Sequence, residues 1–146
     1  MRKGIFIKIL GVVESLPVRQ PVPLFASGVA AGFPSPADDY VEGSLDLNEH
    51  LVEHPAATYY VRASGNSMIG SGIHDGDLLI VDRAVEPRDG SIAIAVVDGE
   101  LTVKRIRHLG ERLFLEPDND AYPPMEVAAE ADLRVWGVCR FVIHAL

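Results

Sequence analysis

Residues 91–109 read SIAIAVVDGELTVKRIRHL, and their reading decides the fold. Two β-forming runs flank Asp98-Gly99, a strong hairpin signal because the favoured two-residue turn needs positive φ at both central positions. With those residues as the turn, Val97 faces Glu100, and the pairing runs back through Ala95–Thr102 to Ala93–Lys104. Strand alternation then divides the side chains between two faces. Ile92, Ile94, Val96, Leu101 and Val103 make a plain core face. Ala93, Ala95 and Val97 share the other with Thr102 and Lys104. The lysine therefore stands among small apolar side chains, with room above it for another segment.

Strand signals continue in both directions at regular spacing. They are ATYYVRA (57–63), GDLLIVD (76–82), RLFLEP (112–117) and LRVWGVCRFVIHAL (133–146). DLNEHLVEHP (46–55) predicts one short helix, with Asp46 as N-cap, Glu49 three residues on and Pro55 past the end. Residues 1 to about 45 show no sustained period, and Pro17, Pro21, Pro23, Pro34 and Pro36 disfavour helices and central strands. This part is expected to be an extended arm with at most a short edge strand near Ile5 to Leu10. The expected fold class is mostly β, with at most one short helix.

A chain of 146 residues fits one domain. Its one cysteine, Cys139, excludes an internal disulfide framework. The start MRKGIFIKILGVV is interrupted by Lys8 and is far shorter than the roughly 20 apolar residues of a membrane span. A soluble, cytoplasmic chain with no membrane association is expected. The net charge of −8 is unevenly spread. Residues 1–31 carry Arg2, Lys3, Lys8 and Arg19 against Glu14, a balance of +3, and residues 32–146 carry nine basic and twenty acidic side chains, a balance of −11. So acidic a body repels phosphate, which argues against direct nucleic-acid binding by it. The basic arm either lies on that body or is solvated.

The loop RASGNSMIGSGIHDGD (62–77) gathers Ser64, Ser67 and Ser71 among glycines and joins two strand candidates. Serine and glycine favour turns on conformational grounds alone, and a loop serine is no nucleophile without a base. The body contains a single lysine, Lys104. A free lysine, with a pKa near 10.4, is scarcely ever neutral at pH 7, but desolvation lowers a buried one by roughly 3–5 units. A segment covering the Lys104 face would thus produce an amine able to take a serine proton, and Ser-Lys pairs are an established variant of the serine triad. His74 lies nearest the loop as a rival base, and His50 and His54 stand four apart. No GxSxG elbow and no HExxH metal motif occurs. The histidines read as structural or surface residues, and no metal or cofactor is expected.

Three blocks, AGFPSPADDYVE (31–42), YYVRASGNSMIGSGIHDGDLLIVD (59–82) and AVVDGELTVKRI (95–106), resemble the UmuD-type branch of the LexA-like self-cleaving serine peptidases. That group also includes phage repressors, and the likeness runs from about Phe25 onward. It implies a peptidase body of curved antiparallel sheets. It also implies Ser67 as nucleophile, Lys104 as general base and Ala31-Gly32 as the scissile bond. Residues 1–31 would be the arm removed by self-cleavage, and 32–146 the peptidase and dimerisation domain. The implied partners are a RecA filament on single-stranded DNA, which stimulates cleavage, and a UmuC-like Y-family DNA polymerase, which the shortened homodimer assists in SOS translesion synthesis. The Ala-Gly bond matches LexA and the repressors rather than the Cys-Gly of several UmuD proteins.

The arm suits a substrate. Pro34 and Pro36 bias it to extended backbone, Val29, Ala30 and Ala31 offer small side chains, and Gly32 presents no Cβ to a nucleophile. Docking of the arm and desolvation of Lys104 are expected to be one event. Two other functions compete: a Ser-Lys peptidase acting in trans on another protein, and a non-cleaving polymerase-binding module. Sequence-specific operator binding is not expected, because residues 1–31 leave no room for a helix-turn-helix module.

Overall fold

The computed structural model describes residues 8–12 (backbone only), 19–25, 28–33 and 41–146. The expectations placed on Ile5 to Ile7, Pro17, Pro34 and Pro36 lie outside the described residues. Strand β1 (Lys8–Val12) is followed by β2 (Val22–Phe25), β3 (Val41–Leu45) and a helix, α1 (Leu47–Leu51). Then come β4 (Thr58–Arg62), β5 (Leu78–Asp82), β6 (Ile92–Val97), β7 (Glu100–Leu109), β8 (Arg112–Glu116), β9 (Met125–Val127) and β10 (Leu133–Ile143). Eight of them form one sheet in the order β1-β4-β5-β10-β6-β7-β8-β9, with antiparallel neighbours throughout. The mostly-β reading is met.

The β6–β7 hairpin has the register read from the sequence: Val97 faces Glu100, Ala95 faces Thr102 and Ala93 faces Lys104. Asp98 (φ 49°) and Gly99 (φ 83°) both adopt positive φ, as their turn requires. The two faces of this hairpin bury two separate clusters. Ile94 and Val103 pack with Val61, Ala63, Met68, Ile73, Leu79 and Val81. Ala93 and Ala95 pack with Ile106 and Leu115. Ala93 pairs with Lys104, so the second cluster lies on the lysine's face of the hairpin.

β10 holds the sheet together by pairing with β5 on one side and β6 on the other. Irregular steps near Gly137 and between Cys139 and Phe141 bend it. Gly137 is required there, since a Cβ would sit 2.6 Å from Val81 Cγ1.

The upstream part is more ordered than an extended arm. β2 and β3 pair antiparallel as a separate two-stranded ribbon, so the chain between them returns on itself. Gln20 N–H donates to Asp46 Oδ2 at 2.8 Å, and Arg19 pairs with Glu49 at 2.6 Å. These contacts join the ribbon's start to α1, whose N-cap is Asp46 as expected. The Arg19–Glu49 pair is one place where a basic side chain of residues 1–31 does meet the acidic body.

Candidate active site

Ser67 and Lys104 meet. Lys104 Nζ lies 3.0 Å from Ser67 Oγ, and also donates to Thr102 Oγ1 and the Val103 carbonyl, each at 3.0 Å. None of the three acceptors is a carboxylate. Among the described residues no charged partner favours the ammonium, and burial lowers the Lys104 pKa from 10.5 to about 8. Ser67 is almost wholly buried, at 2% exposure.

The loop carrying Ser67 is fixed at both flanks. Met68, 1% exposed, plugs into the first core cluster. Ala63 and Asp77 close the loop base through Ala63 N–H to Asp77 O and Gly76 N–H to Ala63 O, both 2.8 Å. Across the loop stands the connection between β8 and β9. Asn119 Nδ2 donates to the Asn66 carbonyl at 2.8 Å, and Gly70 N–H donates to the Asp118 carbonyl at 2.6 Å. A Cβ at residue 70 would come 2.6 Å from that same oxygen, so the close approach needs glycine. The Asp118 carboxylate bonds the Ser71 hydroxyl and accepts from Arg105 Nη2 at 2.8 Å, while Arg105 Nη2 also reaches Ser71 Oγ at 3.0 Å. Arg105 adjoins Lys104 in β7, so the strand carrying the amine and the loop carrying the hydroxyl converge on Asp118. The sequence reading missed Asp118, Asn119 and Arg105. Nothing local distinguishes them, since Ser71 and Asp118 are 47 residues apart.

Ala31 and Gly32 lie in a bend and are exposed. Val29 and Phe33 are 90% and 94% exposed, and no heavy atom approaches within 4 Å of a Cβ placed at Gly32. The segment is not seated against Ser67. Lys104 is nonetheless already desolvated, so its depressed pKa arises from the body. The expectation that arm docking and desolvation are one event is corrected accordingly.

The rival base is occupied elsewhere. His74 faces Asp77, Nδ1 to Oδ2 at 3.7 Å, and stacks on His144. His54 Nδ1 meets Asp82 Oδ2 at 2.6 Å. Among the described residues no helix is long and apolar enough to cross a membrane.

Fold and site together define a class: an antiparallel β protein that hydrogen-bonds a buried serine hydroxyl to a lysine amine of lowered pKa. The chain belongs to the peptidase S24-like family, whose pattern matches residues 23–140. It is 48% identical to protein SamA of Salmonella typhimurium over 90% of this chain and 91% of that protein. It is 50% identical to protein ImpA of Escherichia coli, covering 84% of this chain and 83% of that protein. LexA repressor 1 of Xanthomonas axonopodis pv. citri is 46% identical over 75% of this chain but only 54% of the repressor.

Proposed function

We propose that the chain cleaves its own kind at Ala31–Gly32, with Ser67 as nucleophile and Lys104 as general base. The observation that carries this reading is the 3.0 Å contact between Lys104 Nζ and Ser67 Oγ in a setting that lowers the amine's pKa to about 8. Membership of a peptidase family supports it. Neutral Lys104 accepts the Ser67 proton as Oγ attacks the Ala31 carbonyl carbon. The resulting ammonium returns that proton to the Gly32 nitrogen as the C–N bond breaks. Water, activated by the same amine, then hydrolyses the Ser67 ester and restores the serine.

The exposed position of residues 28–33 supports a regulatory step. The segment must move into the site before reaction, and the buried Ser67 must become accessible to it. A partner that binds the docked arrangement more tightly would speed cleavage by shifting the population, with no catalytic group of its own. In this reading the partner is a RecA filament on single-stranded DNA. The product, residues 32–146, acts as a homodimer with a Y-family DNA polymerase in SOS mutagenesis, the role implied by likeness to UmuD-type proteins.

The test is mass spectrometry of purified chain held at pH 7 and at about pH 10, where the Lys104 amine, with its pKa of about 8, is largely neutral. A fragment beginning at Gly32 is expected to form faster at the higher pH and to be absent from Ser67→Ala and Lys104→Ala. The same fragment arising in both variants overturns the dyad.

A further inference from the structure

Two histidines from distant parts of the chain meet on one buried carboxylate. Asp77, its side chain 4% exposed, places Oδ1 2.6 Å from His144 Nδ1. Its Oδ2 accepts the His74 backbone N–H at 2.8 Å and lies 3.7 Å from His74 Nδ1. The two imidazole rings stand 4.6 Å apart between centroids, tilted by 36°. One donor atom from each of the three residues falls within 4.8 Å of the others.

A shared proton accounts for the contact between His144 and Asp77. It does not account for His74, whose Nδ1 faces the same carboxylate from beyond hydrogen-bond length. A proton bridges one imidazole to a carboxylate, whereas a metal ion can bridge both.

We propose that His74, Asp77 and His144 form a binding site for a divalent transition-metal ion of the zinc class. Imidazole nitrogen and carboxylate oxygen are ordinary donors for such ions, at about 2.0–2.2 Å, and three protein ligands leave a fourth tetrahedral position for water. Donors arranged in that way stand about 3.3 Å apart. His144 and Asp77 would therefore separate slightly while His74 closes in. Side-chain exposures of 48% for His74 and 44% for His144 leave both rings solvent space in which to rotate. The bound ion would tie the residue after β10 to the turn that leads from the Ser67 loop into β5. Glu53, His54 and Asp82 form a second group within the same distance, but it offers one imidazole only and is the internal control.

The site shares no residue with the Ser67–Lys104 pair, and its test reads binding alone. The full-length chain is titrated with Co²⁺ and followed by the visible absorbance of a four-coordinate ion, and with Zn²⁺ by calorimetry. Saturable binding of one ion per chain is expected, weakened at least tenfold in His74→Gln and in His144→Gln and unchanged in His54→Gln. Zn²⁺ is also expected to raise the melting temperature of the parent but not of His144→Gln, since a ligand bound only to the native state stabilises it. Circular dichroism confirms that each variant is folded. No saturable binding by the parent overturns the proposal, as does undiminished binding by both histidine variants. Loss of binding in His54→Gln alone also overturns it, by moving the ion to the other group.

Discussion

Lys104 Nζ lies 3.0 Å from Ser67 Oγ, although 37 residues separate the two in the chain. Among the described residues the amine's hydrogen-bond partners are two hydroxyls and a carbonyl, none of them a carboxylate, and this shell fixes the chemistry. An acidic partner would hold the ammonium charged. Hydroxyl and carbonyl acceptors in a buried setting instead let it drop to a pKa of about 8.

That depression has a stability consequence whose sign follows from linkage. The folded-state pKa of about 8 lies below the ordinary 10.5, so folding disfavours the charged amine. The penalty is complete below about pH 8 and fades as pH rises toward 10.5. Lys104→Met is accordingly expected to melt higher than the parent at pH 7, with the gap narrowing at alkaline pH. Thermal scans by circular dichroism check this. A lower melting temperature at pH 7 would show that the amine's hydrogen bonds outweigh its desolvation.

The clamp on Asp118 gives a second expectation. Misplacing a reacting group by about 1 Å can lower a rate about 10²-fold. Asp118→Ala frees Ser71 and Arg105 together, and Gly70→Ala pushes a methyl to 2.6 Å from the Asp118 carbonyl oxygen. Each is expected to slow the appearance of the Gly32 fragment by about 10–10²-fold. The apparent pKa of the reaction should stay in place, because neither residue is a hydrogen-bond partner of the Lys104 amine. Unchanged rates in both would remove Asp118 from the positioning of Ser67.

The bend at residues 31–33 is exposed, so a second chain can reach it as well as the chain's own site. Full-length Ser67→Ala mixed with active, already shortened chain is expected to yield cut mutant protein, read by intact mass. Mutant protein that stays whole would confine the reaction to the chain's own arm.

Much of this was legible in sequence because it depended on short-range chemistry. Asp98-Gly99 dictated a turn, the turn dictated a register, and the register put Lys104 opposite Ala93, as observed. Asp46 announced its helix in the same way. The β2–β3 ribbon was not legible, since Pro21 and Pro23 speak against a strand and VEGSL (41–45) has no alternating face to bury. β9 is three residues long and follows two prolines. The clamp of Ser71, Arg105 and Asp118 exists only once three loops and strands are packed together.

The most direct test is the initial rate of self-cleavage at one fixed protein concentration, measured from neutral to strongly alkaline pH and read as the fragment starting at Gly32. With Lys104 as base, the rate should rise about tenfold per pH unit, reach half its maximum at about pH 8 and then level off. A rate still rising at that slope past pH 10, or equal in Lys104→Ala, would contradict the assignment.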